Sequence, residues 1–106
     1  MNFQDIISGV GNFTAYGHGA YESKDLAPWV TCGDGTTLSV QASHAHYCKP
    51  RTDQGPYSHV EVGYPSVPPP ETWEQYADGA FPSDVYAYVP VELVHKFIVA
   101  HGGEVQ

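Results

Sequence analysis

The stretch "PVELVHKFIVAHGG", residues 90 to 103, constrains the fold more than any other. Val91, Leu93, Val94, Phe97 and Ile98 recur at helical spacing and form one broad apolar stripe. Pro90 suits a first helical turn, and Glu92 lies near the positive end of the dipole. Lys96 and His101 lie toward the negative end, and Gly102 ends the helix. Such a stripe folds only against a second apolar surface. The rest of the chain supplies one as short segments that alternate with period two. The expected class is α+β: a small antiparallel sheet of three to five strands with the C-terminal helix packed on one face.

The strands can be placed. Ala27 to Cys32 reads as the first, followed by a "GDG" turn. A three-residue loop of Gly33, Asp34 and Gly35 sets Cys32 opposite Thr36, Val30 opposite Leu38 and Pro28 opposite Val40. Gly35 then takes the left-handed position of a type I turn plus bulge. The next strand, "LSVQASHAHYC", runs over residues 38 to 48 and aligns His44, His46 and Cys48 on one face. In "YSHVEVGYP", Val60, Val62 and Tyr64 oppose Tyr57, His59 and Glu61. "PSVPPPE" is extended backbone and reads as a stiff connector. "ETWEQYA", 71 to 77, is a short helix with Trp73 inward. "DVYAYV", 84 to 89, is a strand with Val85, Ala87 and Val89 opposite Tyr86 and Tyr88. The whole reads as a single domain of 106 residues, with residues 1 to 25 as an irregular N-terminal arm.

Several chemistries can be weighed on this frame. His44 and His46 on a straight strand would stand ~6.6 Å apart and could chelate a transition metal such as zinc. A third ligand would be Cys48, His59 or Glu61. No C-x-x-C or H-E-x-x-H spacing accompanies the pair, so a wall of half-buried histidines is the plainer reading and no cofactor is expected. Cys48 beside His46 and Arg51 has the parts of an activated thiol, but a buried structural thiol is commoner. Cys32 and Cys48 on a straight strand lie about 40 Å apart, too far for a disulfide. Glu61 with Glu71 or Glu74 could do acid–base work only if a proline-rich loop brought them together. The "GVG" and "GDG" runs lack the strand–glycine–helix setting of a phosphate loop.

Charge is the stronger signal. Twelve acids against four bases give a net charge of −8, which leaves no basic footprint for nucleic acid and no attraction to an anionic membrane. Between Arg51 and Lys96 stand Asp53, Glu61, Glu71, Glu74, Asp78, Asp84 and Glu92 with no Lys or Arg among them. Such a strip attracts a cationic partner. Tyrosine is also abundant; Tyr47, Tyr57, Tyr86 and Tyr88 are expected on sheet faces opposite the aliphatic set, and Tyr57, Tyr86 and Tyr88 could anchor a contact. The start has no basic region followed by a long apolar run, and no stretch reaches the length of a spanning helix. The chain therefore reads as cytoplasmic.

Together "VQASHAHYCKPR", "GPYSHVEVGYPS" and "VYAYVPVELVHKFIVAHGG" resemble the small proteins carried by bacteriophages and prophages. The resemblance covers residues 38 to 66 and 84 to 103 and brings no catalytic motif. It implies a context in which small acidic proteins bind and inhibit host machinery, including CRISPR effectors and other defence nucleases, some by presenting carboxylates where DNA phosphates would lie. The leading expectation is a non-enzymatic module in which Glu71, Glu74, Asp78 and Asp84 meet a basic host protein or nucleoprotein complex, with Tyr57, Tyr86 and Tyr88 as anchors. The alternatives are a metal-binding protein or metal-dependent enzyme using His44, His46, Cys48 and His59, and a structural or assembly component of a virion.

Overall fold

The structure, a computed structural model, describes residues 3–8 and 27–105. Helix α1 (Phe3–Ser8) is followed by strands β1 (Val30–Thr31), β2 (Thr37–Gln41) and β3 (His59–Gly63). A 3-10 helix (Glu71–Tyr76), strand β4 (Val85–Pro90) and helix α2 (Val91–Ala100) complete the order. The four strands form one antiparallel meander in the order β1-β2-β3-β4. The class is the expected α+β, with the C-terminal helix on the sheet.

The first hairpin follows the register expected from its faces. Val30 pairs with Leu38 and Thr31 with Thr37, and the Cys32 amide donates to the Thr36 carbonyl at 2.7 Å. Gly35 adopts φ +93°, the left-handed conformation that closes the three-residue loop. Gly33 is needed for another reason: a Cβ there would stand 2.7 Å from the Gly102 carbonyl oxygen. That contact lets the residues after α2 run along β1. The Gly33 amide donates to Gly103, and the Val105 amide to Thr31.

The core lies between the sheet and α2. Leu38, Val40, Val60, Val62, Tyr86 and Val89 face Val94, Phe97 and Ile98, all of them buried. Trp73 joins the layers. Its ring stands 5.6 Å from Tyr86, edge to face, and 5.5 Å from Phe97. This single buried side chain fixes the 3-10 helix, because a six-residue helix has little stability of its own. Pro69 is buried as well, so the proline run is packed as a connector.

Three expectations about faces are corrected. The strand starting at Leu38 ends at Gln41, and residues 42 to 48 turn away from it. The straight run from Leu38 to Cys48 therefore does not exist, although both cysteines are unbonded and buried as expected. β4 does not alternate. Val62 pairs with Tyr86 but Val60 with Val89, so three steps on β4 match two on β3. This bulge turns both Tyr86 and Val89 into the core and leaves Val85 and Ala87 half-exposed. Tyr88 absorbs the extra residue at φ 55°. A left-handed tyrosine costs about 1–3 kcal/mol, and burying Val89 alone returns about 1.5–3 kcal/mol. Finally, Tyr64 takes φ 51° at the end of β3 and turns outward, where it is 58% exposed.

Part of the expected N-terminal arm is helical. Residues 3–8 form α1, with Phe3 and Ile6 buried against the core. The Gly-rich stretch from residue 9 to residue 25 lies outside the described residues.

Candidate binding face and adjoining cleft

The histidine segment forms a turn whose rings are held by neighbours. His44 Nδ1 stands 2.6 Å from the Asp53 carboxylate, which also accepts the His44 amide at 3.1 Å. His46 Nδ1 stands 2.7 Å from Ser43 Oγ. His59, on β3, is 2.7 Å from Ser58 Oγ. Cys48 Sγ points to the carbonyls of Ser43 and Pro50. Among the described residues, no three His, Cys, Asp or Glu side chains are grouped so as to hold a metal ion. The ligand set expected from His44, His46, Cys48 and His59 is not assembled, because it required a strand that continues past Gln41. Burial pushes the thiols of Cys32 and Cys48 up, and each is 1% exposed, which is the opposite of an activated nucleophile.

The acidic strip has a definite place. Glu71 and Glu74 are exposed on the 3-10 helix whose inward residue is Trp73. The Ala77 amide donates back to the Glu74 carbonyl, and Ala77 then bridges to Tyr86. The Asp78 amide donates to Val85 at 2.8 Å, which sets Asp78 beside the start of β4 and next to Asp84 along the chain. Asp78 and Asp84 are exposed. The Tyr64 amide donates to the Asp84 carbonyl at 2.6 Å, which brings the most exposed tyrosine of the described residues to the same edge. No ion pair among the described residues involves any of these four carboxylates.

The expected aromatic anchors are redistributed. Tyr57 is buried, donating its hydroxyl to the Thr52 carbonyl and its amide to Ile7. Tyr86 is fully buried, and its hydroxyl oxygen accepts the Ser83 amide at 2.9 Å. Neither can anchor a partner. Strict alternation fails at both positions, at the bulge for Tyr86 and ahead of β3 for Tyr57. Tyr88 remains half-exposed, and Tyr64 takes the position at the acidic edge.

Beside the bulge, a cleft of about 480 Å³ opens between the turn after β2, the 3-10 helix and β4. Tyr47, Lys49, His59, Gln75, Asp78 and Tyr88 contribute its chemistry. The turn lies on the outer face of β3, where the Tyr47 amide donates to Glu61 Oε2 at 3.2 Å. The Tyr88 amide, turned out by the bulge, donates to the Tyr47 carbonyl at 3.1 Å. The two rings stand 5.7 Å apart at an interplanar angle of 42°. Lys49 Nζ lies 5.8 Å from the centre of the Tyr88 ring, and the Arg51 guanidinium 5.2 Å from that of Tyr47. Two of the chain's four cations thus converge on its outer aromatic pair. The signal in the sequence is the spacing of Lys49 and Arg51 around "HYCKPR". Only the bulge, which the sequence conceals, brings Tyr88 to them.

Comparison of the chain with protein-family models, with curated proteins and with solved structures finds no match. No helix among the described residues is long and apolar enough to cross a membrane.

Proposed function

We propose that this chain is a non-enzymatic protein-binding module that presents a carboxylate face to a basic partner. The observation that carries the reading is the set Glu71, Glu74, Asp78 and Asp84, all four exposed and none of them in an ion pair among the described residues. Unpaired carboxylates on a protein of net charge −8 repel one another and gain energy when a cationic surface approaches. Tyr64 offers an aromatic contact at the same edge. The resemblance to small phage proteins points to a host nucleic-acid-handling complex as the partner, with the carboxylates occupying the places of phosphates and so blocking its own substrate.

The test is capture from a bacterial host lysate on the immobilised protein at low salt, beside a variant carrying Glu71→Gln, Glu74→Gln, Asp78→Asn and Asp84→Asn. Nucleic-acid-binding proteins should be retained by the native chain, lost by the variant, and released as ionic strength rises past about 0.1 M, where the screening length falls to ~10 Å. Equal retention by both proteins, or none by either, would refute the reading.

A further inference from the structure

We propose that the cleft beside the β4 bulge binds a neutral polyhydroxylated ligand of saccharide chemistry. Its volume of about 480 Å³ falls in the range of small-molecule sites. Its rings are fixed before any ligand arrives. Tyr88 is held in a left-handed conformation by the bulge and by its amide bond to Tyr47, and Lys49 and Arg51 each stand over one of the two rings. A left-handed residue other than glycine beside a cleft points to a purpose beyond packing, since a glycine would close the same bulge without strain.

The polar groups define the ligand. Lys49 can only donate hydrogen bonds, the Asp78 carboxylate can only accept them, and the tyrosine hydroxyls can do either. Among the described residues, the Lys49 ammonium, the Asp78 carboxylate and the hydroxyls of Tyr47 and Tyr88 have no hydrogen bond or ion pair within the protein. Gln75 spends one amide hydrogen on the Thr72 carbonyl at 3.3 Å and keeps its oxygen. A run of vicinal hydroxyls, each both donor and acceptor, matches this mixed set, while the C–H face of a sugar ring matches tyrosine. Charge removes the alternatives. An anion is opposed by the net charge of −8, and a cation meets Lys49 inside the cleft. Asp78 also belongs to the carboxylate face, but the saccharide site does not depend on what that face binds.

Amide-resolved NMR titration tests this, with glucose, galactose, mannose and N-acetylglucosamine as probes and with adenosine monophosphate and arginine as charged controls. At least one sugar should shift the amides of residues 47–49, 75–78 and 87–89 and bind in the millimolar range. Affinity should fall about tenfold in Lys49→Met and in Tyr88→Gly, with a melting temperature for Tyr88→Gly no lower than the native one. Should Tyr88→Gly not fold, Lys49→Met and Tyr88→Phe carry the comparison, each expected to weaken binding. No shift with any sugar at about 0.1 M, equal binding by all variants, or tighter binding of either charged control would overturn the proposal.

Discussion

At the scale of single residues, His46 shows how a side chain with catalytic looks becomes structural. Ser43 Oγ accepts the Ala45 amide at 3.0 Å, so its own hydrogen is free to donate to His46 Nδ1. A neutral imidazole accepts that hydrogen at Nδ1. Burial, the largest influence, holds the His46 pKa below its ordinary 6.5; Glu61 opposes this, while His44 and Arg51 add to it. The unfolded chain therefore takes up this proton at a higher pH than the folded one. The stability tied to His46 is complete above about pH 6.5 and is lost as pH falls through that value toward the lower folded pKa. His46→Gln should lower the melting temperature at pH 7.5 but flatten its decline between about pH 7 and about pH 5. Thermal melts across that interval read both effects; parallel declines in the two proteins would show that His46 does not titrate in this way.

At the scale of elements, the hairpin and α2 were legible, while β4 and the end of β2 were not. The β1–β2 register followed from one requirement, that Val30, Leu38 and Val40 share a face, and Gly35 supplied the left-handed residue which that loop needs. In α2, five apolar residues and a proline at its start agreed with one another. β4 misled because "VYAYV" supports alternation with either set of faces. In the observed register Tyr86 packs edge to face on Trp73, a contact distant in sequence that the alternation does not reveal. The carboxylate strip was visible as a run without bases, but the place of Asp78 beside the start of β4 depends on the Ala77–Tyr86 bridge and the Asp78–Val85 hydrogen bond. If Tyr86 holds this arrangement, removing its hydroxyl should cost more than a surface change does. Tyr86→Phe leaves the half-buried Ser83 amide without its acceptor and should destabilise by about 0.5–1.5 kcal/mol in chemical denaturation. The Asp78 and Ser83 amides should exchange faster in the variant. A change within about 0.5 kcal/mol, typical of surface sites, would mean that ring packing alone sets the bulge.

At the scale of the whole molecule, the two ends of the described chain are fastened to each other. Both Glu104 carboxylate oxygens accept the Phe3 amide, at 3.0 and 3.2 Å, at the start of α1. Glu104 also bridges to Cys32, and Val105 continues the ladder onto Thr31. β1 is only two residues long and would otherwise leave an open edge. The segment after α2 covers that edge and, through Glu104, supplies an acceptor for the first amide of the six-residue helix. The close approach of Gly33 and Gly102 is what permits this path. Removing the carboxylate should therefore loosen α1 and β1 together and spare the other side of the sheet. Glu104→Ala is expected to cost about 0.5–2 kcal/mol, the range for losing a helix cap. Amide exchange should rise over residues 3–8 and 31–33 while β3 and β4 keep their protection. Uniform loss across all four strands would instead assign Glu104 to global stability, and no loss at residues 3–8 would show that Phe3 and Ile6 hold α1 by burial alone.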